Sequence, residues 1–382
     1  MDQKTADYIR GRRYLQPEDN LARIRGSEAR LVWGRHRQTP PLVTVVIPAY
    51  RREHLLRQAL QSALDQTGFT DYQILIVDDS ALPAGEPSPT EEMIRSYDDE
   101  RIIYYQNQRN LGLMDNWNMC YWLAQSPWVC TLHDDDLLTQ NFLQKMAAAV
   151  TAHPEIDALF NLAHQFDGES ATEEDFAQMS GPVPVQDSKL RPQRVWRQNF
   201  GFSAGRTTGS FIRRDAFVGV GGFGIDRVPG TQDIIYNDDY VLAVRLFASY
   251  NCYILPQNIY NYRTGANNGS ARMRDYLPDL VQEYYMCCQI SDTKNVLWRW
   301  LFHKKNKYQI LSEAQRINAL ITSGSDRMNK EGMIDLSCLQ QLCGLDSTAC
   351  SPLAGRLLNA FWKGYSLVHR AWDVRKSYSI RC

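Results

Sequence analysis

The sequence predicts an α/β protein with a mostly parallel sheet, helices on both faces of the sheet, and a helical region at the C-terminal end. Two observations lead to this prediction. From Leu42 onward, short apolar runs alternate with amphipathic segments, and strands that alternate with helices are typical of a three-layer parallel sheet. From residue 276 onward the chain changes to long helical segments rich in Trp, Tyr, Lys and Arg.

The first half of the chain contains four predicted strands with helices between them. The run "VTVVI" is continuous and β-branched, as in a strand that is buried on both faces. The next segment, "EHLLRQALQSALDQ", repeats its leucines and alanines at helical spacing, and two further helices are predicted at Glu91–Tyr97 and Met114–Ala124. The predicted strands are Val43–Ile47, Gln73–Val77, Arg101–Tyr105 and Trp128–Leu132.

The second half of the chain has a looser pattern. Residues Phe166–Pro192 are polar and acidic, which predicts a long surface loop. The segment "TTGSFIRRDAF" predicts a strand that runs into a short helix, and Gly219–Gly224 a glycine-rich turn. Residues Tyr236–Tyr250 predict a helix whose first turn carries Asp238 and Asp239, and "NCYIL" and "NIYNYR" predict two late strands.

Composition and charge exclude several classes of protein. The 42 Lys and Arg residues against 43 Asp and Glu leave a net charge of -1, so we expect no nucleic-acid partner. The 9 cysteines form no CxxC motif, and their odd number argues against a disulfide framework. The N-terminal segment lacks the apolar core of a signal peptide, and no apolar run reaches the roughly 18 residues of a membrane span. We therefore expect a cytoplasmic protein.

Polar clusters follow the four predicted strands, with the sequences "PAYRR", "DDS", "NQRNLG" and "HDDD". The carboxyl ends of parallel strands meet along one edge of an open sheet, so we expect these clusters to lie together at one rim. Three consecutive carboxylates, Asp134, Asp135 and Asp136, suit a hard divalent cation such as Mg²⁺ or Mn²⁺. The alternative is that Asp136 or Thr139 caps the following helix while the other carboxylates are solvated.

The other clusters offer contacts to a nucleotide. Asp78 or Asp79 can accept hydrogen bonds from a base or a ribose, although a turn-forming aspartate pair has the same pattern. Arg52 suits a phosphate group or solvent equally well, and Gly112 allows a close approach of the backbone. The remaining candidate contacts are Pro48, Ala49 and Tyr50 at the end of the first strand, and the neutral donors Asn110 and Asn118.

Together these motifs resemble the nucleotide-diphospho-sugar half of the family 2 glycosyltransferases, which have the GT-A fold, a Rossmann-like sheet. The resemblance is carried by "TVVIPAYRREHLLRQALQSALDQT", "ILIVDDS", "NLGLMDNWN" and "LHDDDLLTQNF". The later segment "NDDYVLAVRL" is similar to the one in which that family keeps its catalytic base on a helix. The resemblance extends in order over about Pro41 to Ser270.

The resemblance implies a role for each aspartate at the strand ends. Asp135 is the first choice as metal ligand, because these residues stand where the family has its DxD-like motif. Asp134 would lie near the ribose or the sugar of the donor and share in binding the metal, with Asp136 in support. Asp78 and Asp79 stand where the family contacts the base and the ribose.

The resemblance also implies a mechanism. Asp239 matches the family's general base and Asp238 replaces its glutamate, although both carboxylates could instead complement the helix dipole. A base that deprotonates an acceptor hydroxyl while its oxygen attacks the anomeric carbon inverts the configuration. The implied function is therefore a metal-dependent inverting transfer from a nucleotide-diphospho-sugar to a glycan or lipid-linked acceptor, in polysaccharide, O-antigen, capsule or glycolipid biosynthesis. The implied cofactor is Mn²⁺ or Mg²⁺.

The resemblance divides the chain into four parts. Residues 1–40 would form an N-terminal helical extension and 41–150 the nucleotide-sugar-binding half. Residues 151–275 would form the acceptor-binding half with the catalytic base, and 276–382 the C-terminal helical region. These last helices would cap the core or lie on the inner face of a membrane as a peripheral contact. Their basic residues are dispersed, which favours capping.

Two features depart from the family's pattern. His133 occupies the position where many members have the first aspartate of the motif. The segment "YRTGANNGSAR" lacks the family's histidine, and Arg263, Asn268 and Ser270 are candidate substitutes. Two other functions compete with glycosyl transfer. One is a sugar-phosphate nucleotidyltransferase, for which "PAYRREH" lacks the expected glycine, and the other is a non-catalytic relative that binds a nucleotide sugar.

Overall fold

The structure is a computed structural model that describes residues 1–81, 88–167, 186–187, 207–236, 238–264, 275–290, 292, 296–323 and 332–345. The chain forms two compact units. The larger unit comprises Tyr14–Lys189 and Phe202–Met273, and it contains the sheet. The smaller unit joins Met1–Arg13 to helices that follow Arg274.

Ten strands lie within the described residues, and the four that were predicted first are all present. Their ends differ from the predicted bounds by no more than two residues. The strands are β1 Ala29–Trp33, β2 Val43–Ala49, β3 Tyr72–Asp78, β4 Ile102–Asn107, β5 Trp128–Thr131, β6 Leu137–Leu138, β7 Ala158–Asp167, β8 Gln186–Asp187, β9 Phe211–Arg213 and β10 Cys252–Thr264.

Helices connect these strands and form the smaller unit. A short 3₁₀ turn, Asn20–Arg23, precedes the sheet. The α-helices within the described residues are α1 Gln3–Gly11, α2 Glu53–Leu64, α3 Pro89–Arg95, α4 Leu113–Leu123, α5 Phe142–Ala152, α6 Arg214–Gly219, α7 Asp238–Ser249, α8 Leu277–Ile290, α9 Val296–Thr322 and α10 Leu336–Leu342.

The strands form one mixed sheet in the order β1-β4-β3-β2-β5-β9-β7-β10-β6, with β8 paired to β10. Strands β4, β3, β2 and β5 are mutually parallel, as are β7 and β10. Strands β1, β9, β6 and β8 pair antiparallel with their neighbours. The predicted mostly parallel α/β fold with C-terminal helices is confirmed.

The centre of the sheet is apolar because β2 and β3 are buried along their whole length. Leu55, Leu56, Ala59 and Leu60 of α2 recur at helical spacing and are all buried. Phe142 at the start of α5 joins the same core cluster. This packing fixes the carboxyl ends of β2, β3 and β5, where the polar clusters follow.

Three segments differ from the sequence-based expectations. The predicted helical extension, residues 1–40, also contains β1, which pairs with the edge of β4. The two predicted late strands are one strand, β10, whose register shifts around Asn258 close to Pro256, a residue without an N–H donor. In the predicted loop Phe166–Pro192, residues Gln186–Asp187 pair with β10, and most of the others lie outside the described residues.

The smaller unit is held together by polar contacts between its helices. Arg10 of α1 donates to the hydroxyl of Tyr285 at 3.2 Å, and that hydroxyl donates to the carbonyl oxygen of Leu342 at 2.8 Å. Arg12 donates through Nη1 to Gln282 Oε1 at 3.0 Å. Within the described part of the chain, no helix has the length and apolar character needed to cross a membrane.

Candidate active site

The residues that follow β5, His133–Asp136, form a buried turn that we call the aspartate turn. Asp134, Asp135 and Asp136 are exposed by only 3%, 6% and 0%. Asp136 accepts hydrogen bonds from the Tyr260 hydroxyl at 2.6 Å and from the Arg263 backbone N–H at 2.8 Å. These bonds tie the turn to β10, so Asp136 has a clear positioning role.

Arg52, just beyond β2, links the first polar cluster to the aspartate turn. Its Nε donates to Asp134 Oδ2 at 3.1 Å, and its Nη1 donates to Asp135 Oδ2 at 2.8 Å. Its Nη2 also donates to Asp134 Oδ1. Burial raises the pKa of Asp134 to about 7, although the charge of Arg52 acts in the opposite direction. The two strand ends therefore meet, and Arg52 lies on carboxylates in this structure.

Arg263 supports the turn from β10. Its Nε donates to the carbonyl oxygen of Asp135 at 2.6 Å, and its Nη2 donates to Gln58 Oε1 at 2.8 Å. Its guanidinium lies over the ring of Phe166, 4.7 Å from the centroid. Arg263, one of the three candidate substitutes for the family's histidine, thus contacts the aspartate turn. The other two proposed substitutes, Asn268 and Ser270, lie outside the described residues.

The aspartate turn contains a set of groups that fits a divalent cation. One ligand atom each from His133, Asp135 and Asp136 lies within 4.8 Å of the others. Carboxylate oxygens suit Mg²⁺ and Mn²⁺, and an imidazole adds a nitrogen ligand. His133, which departs from the family's pattern, therefore belongs to the candidate ligand group. Asp134 is not part of that group and is paired with Arg52.

Asp78 and Asp79 have different surroundings although they are adjacent. Asp78 is fully buried and accepts from the Ser80 backbone N–H at 2.9 Å and from the Tyr104 hydroxyl at 2.8 Å. Asp79 accepts from Asn107 Nδ2 at 2.8 Å and from the backbone N–H of Leu111 at 2.8 Å. Both carboxylates are thus hydrogen-bonded inside the protein.

Asp79 organises the cluster that follows β4. Its Oδ2 accepts from the Gly112 N–H at 3.0 Å, and its backbone carbonyl accepts from Asn110 Nδ2 at 3.0 Å. Its own N–H donates to the Ala49 carbonyl at 2.9 Å, at the end of β2. Burial raises the pKa of Asp79, while the hydrogen bonds from Leu111, Asn107 and Gly112 oppose this effect. The second and third polar clusters therefore meet at the same rim as Ala49.

Asn118 holds the glycine-rich turn. Its Oδ1 accepts from the Phe223 N–H at 2.8 Å, and its Nδ2 donates to the Phe223 carbonyl at 3.0 Å. Gly222, with φ +75°, approaches Asn118 so closely that an added Cβ would lie 2.6 Å from Asn118 Oδ1. The structure thus gives Asn118 a packing role that its sequence position did not indicate.

The end of β2 contains the remaining predicted nucleotide contacts. Pro48 and Ala49 lie opposite Val77 and Asp78 of β3. Tyr50 follows the strand with 46% of its surface exposed, and the Arg51 guanidinium lies 5.2 Å from its ring centroid. Tyr50 is therefore available to a ligand as an exposed aromatic face.

The predicted catalytic pair stands at the start of α7. Asp238 is fully buried, whereas Asp239 is partly exposed and accepts from the Tyr240 N–H at 2.9 Å. Of the two carboxylates, Asp239 is therefore the more exposed.

Sequence reasoning missed Gln58 and Asp226. Gln58 positions Arg263, and Asp226 accepts from the Leu113 N–H at 3.1 Å at the start of α4, with burial raising the pKa of its carboxyl. Each residue acts on a segment distant in sequence. Only the position of Asp226 shortly after the glycine-rich turn could have drawn attention to it.

Comparison with known proteins identifies the class of this domain. Residues 44–217 match the family described as glycosyl transferase family 2, and this part of the chain is a domain of that family. The fold is of the GT-A type. The solved structure of S. aureus TarS 1-349 in complex with UDP-GlcNAc matches with a TM-score of 0.51 at 14% identity, over 78% of this chain and 83% of that chain.

Two curated relatives match part of this chain. An uncharacterized glycosyltransferase of Methanocaldococcus jannaschii is 31% identical over 130 residues, which is 33% of this chain and 43% of that protein. Validoxylamine A glucosyltransferase of Streptomyces hygroscopicus subsp. jinggangensis is 32% identical over 112 residues, 28% of this chain and 25% of that protein. The aligned segments thus span less than half of either relative.

Proposed function

We propose that this chain is a metal-dependent inverting glycosyltransferase that moves a sugar from a nucleotide-diphospho-sugar to an acceptor hydroxyl. The observation that carries the proposal is the meeting of three strand ends in a family 2 domain. Arg52 beyond β2 donates to Asp134 and Asp135 beyond β5, and the N–H of Asp79 beyond β3 donates to the carbonyl oxygen of Ala49 at the end of β2. Such an edge is where open α/β sheets bind ligands.

The donor would lie along this rim. The exposed ring of Tyr50 offers a stacking face for the base, and Pro48 and Ala49 line the strand end. The loop from Asn110 to Gly112, held by Asp79, presents backbone close to the same edge. UDP-GlcNAc is bound by TarS, a structural neighbour, which supports a nucleotide-diphospho-sugar donor here.

The aspartate turn would hold Mn²⁺ or Mg²⁺ through Asp135, with Asp136 and His133 in reach and Asp134 beside them. A divalent cation at this position supplies neutralisation of the charge that develops on the leaving diphosphate. Arg263 and Tyr260 keep the turn in place.

Asp239 would act as general base, because it is the partly exposed member of the pair at the start of α7. Its carboxylate takes the proton of the acceptor hydroxyl while that oxygen forms a bond to the anomeric carbon. The bond from that carbon to the diphosphate oxygen breaks, and the nucleoside diphosphate leaves with the electron pair. Attack from the opposite face inverts the configuration. Asp238, which is fully buried, would position the helix start.

The acceptor would be a glycan or a lipid-linked glycan in polysaccharide, O-antigen, capsule or glycolipid biosynthesis. We place the enzyme in the cytoplasm, and a peripheral contact of its C-terminal helices with the inner face of a membrane is the alternative to their capping the core. The free thiols of Cys120, Cys130 and Cys252 support a reducing compartment.

Nucleoside diphosphate release from UDP-, GDP- and dTDP-sugars, with Mn²⁺ or Mg²⁺, tests the proposal. Asp239→Asn should lower turnover by about 10²–10⁴-fold while donor binding is retained, because a general base contributes about that much. Glu92→Gln is the matched control, since Glu92 is an exposed carboxylate in the first turn of α3. Donor binding without turnover in the wild-type protein would instead indicate a non-catalytic relative.

A further inference from the structure

The guanidinium of Arg52 occupies an oxygen of Asp135, a carboxylate that a divalent cation at the aspartate turn would use. It bonds both oxygens of Asp134 and Oδ2 of Asp135. The two aspartate side chains are only 4% and 8% exposed, while that of Arg52 is 26% exposed. The positive charge is thus already present where the metal would be bound, and it comes from the protein itself.

The second carboxylate of the candidate ligand group is held from the other side. Asp136 accepts from Tyr260 and Arg263, both of which are buried residues of β10. These bonds keep the turn in place without Arg52. By contrast, the Arg52 side chain is partly exposed, at 26%.

Arg52 and a divalent cation cannot share Asp134 and Asp135 without a strong repulsion. Both are positive, they would lie within one side chain's reach, and screening by water is weak among buried groups. A guanidinium that leaves a carboxylate pair needs a new anionic partner, and its planar fork suits the oxygens of a phosphate as well as those of a carboxylate.

We propose that Arg52 is a built-in counter-ion that exchanges partners when the donor binds. It neutralises Asp134 and Asp135 in the empty enzyme, gives up these carboxylates when a divalent cation is bound, and then pairs with the diphosphate of the donor. This inference rests on the proposed function. It predicts that the metal alone binds weakly and that metal and nucleoside diphosphate strengthen each other's binding.

Calorimetric titration of MnCl₂ into the nucleotide-free protein tests the exchange. Arg52→Gln should bind Mn²⁺ about tenfold more tightly than the wild type, because the competing charge is gone. Arg52→Lys should lie between the two, since an ammonium cannot bridge both carboxylates as a guanidinium does. With saturating UDP or GDP, the gain in Mn²⁺ affinity should be smaller for Arg52→Gln than for the wild type.

Arg51→Gln is the matched control, because it removes the same charge from the adjacent residue, whose guanidinium lies over Tyr50. It should leave the Mn²⁺ affinity of the nucleotide-free protein unchanged. Equal or weaker Mn²⁺ binding by both Arg52 variants, with native circular dichroism spectra, would overturn the exchange. If Asp135→Asn does not weaken Mn²⁺ binding, the metal site in the proposed function is wrong. This outcome is distinct from a failure of the exchange.

Discussion

A single carboxylate, Asp79, determines the course of the backbone beyond β4. It is 3% exposed and accepts from Asn107 at the end of β4 and from Leu111 and Gly112 in the segment that follows. The sequence located this aspartate at a strand end but could not show its partners, because they lie about thirty residues away. Its predicted contact with a nucleotide remains a prediction beside this structural role.

Asp79→Asn should destabilise the protein by about 1–3 kcal/mol. The amide would replace one acceptor oxygen by an NH₂ group that faces the N–H donors of its partners. Urea denaturation followed by circular dichroism would measure the loss. Asp65→Asn is the control: Asp65 is exposed and bonded to Gln61, so a change within about 0.5 kcal/mol is expected. Equal effects of the two substitutions would contradict the role assigned to Asp79.

Lys305 is a second residue whose burial has a measurable effect. It is 8% exposed on α9, and burial lowers its pKa to about 8, while the nearby Cys287 acts to raise it. Between this pKa and the ordinary lysine pKa of 10.5, the unfolded chain binds more protons than the folded one. The stability that Lys305 contributes is therefore lost as the pH falls from 10.5 through 8.

Lys305→Met lacks this titration, so the free energy of unfolding of the wild type should increase relative to that of the variant as the pH rises. The free energy of unfolding of the variant relative to wild type should fall by about 2–3 kcal/mol between pH 7 and pH 10. Urea unfolding of both proteins at the two pH values would show this. A difference that does not depend on pH would count against a buried, destabilised ammonium.

At the scale of elements, the segment around the 3₁₀ turn supports the glycine-rich turn Gly219–Gly224. The Asn20 N–H donates to the Gly221 carbonyl at 3.0 Å, and Arg23 donates to the Phe223 carbonyl at 3.1 Å. Arg23 also pairs with Asp115 of α4 at 2.8 Å. Three parts of the chain distant in sequence are thereby joined.

Gly221→Ala should disrupt this contact. Its φ is +86°, and an added Cβ would lie 1.6 Å from the backbone oxygen of Glu18, so a loss of about 3 kcal/mol or more is expected. Gly26→Ala tests the backbone angle alone: the φ of Gly26 is +83°, but a Cβ added there would have no atom of the described residues within 4 Å. That control should cost only about 1–2 kcal/mol, measured by chemical denaturation. If both substitutions lower the free energy of unfolding equally, the effect of Gly221→Ala would come entirely from its positive φ and not from the contact with Glu18.

The same segment forms an ion pair with a buried arginine of α7, the helix of the proposed base. Arg245 of α7 is 1% exposed, and its Nη2 lies 2.7 Å from Glu18 Oε2. Glu18→Ala should cost about 2–3 kcal/mol because it leaves a buried charge unpaired. Asp19→Ala removes the partner of an exposed pair, with Arg25, and should cost less than about 1 kcal/mol.

A double variant, Glu18→Ala with Arg245→Met, should recover part of this loss, since an apolar side chain replaces the stranded charge. No recovery would indicate that Glu18 acts through some other contact.

Sequence reasoning succeeded where an element depends on its own residues. The β-branched runs of β2 and β3 and the helical spacing of α2 specify those elements locally, and the helix bearing Asp238 and Asp239 was also predicted. Strand β1 was missed, because a five-residue edge strand depends on pairing with β4, a partner far along the chain. The contacts of Asn118, Gln58 and Asp226 were missed for the same reason, because their partners are also distant in sequence.

For the whole molecule, the fold class followed from the alternation of strands and helices, but the strand order did not. The antiparallel β9 lies between β5 and β7, a placement that only long-range packing determines. The convergence of the strand ends was predictable because parallel strands share one edge. The ion pairs of Arg52 with Asp134 and Asp135 at that edge could not be predicted from the sequence and were seen only in the structure.

The two compact units lead to a prediction for ligand binding. The described candidate site residues all belong to the larger unit. A donor nucleotide with Mn²⁺ at about 100 times its dissociation constant should stabilise that unit by about 2.7 kcal/mol. In calorimetry, the ligand should raise only the transition of the larger unit, and a chelator should reverse the shift. A shift in both transitions would mean that the units unfold together.

The sheet also has a consequence for behaviour at high concentration. Along the described strand order, its outermost members are β1, with five residues, and β6, with two. Short outer strands offer a foreign chain few backbone groups to pair with, which protects a wide sheet against aggregation into fibrils.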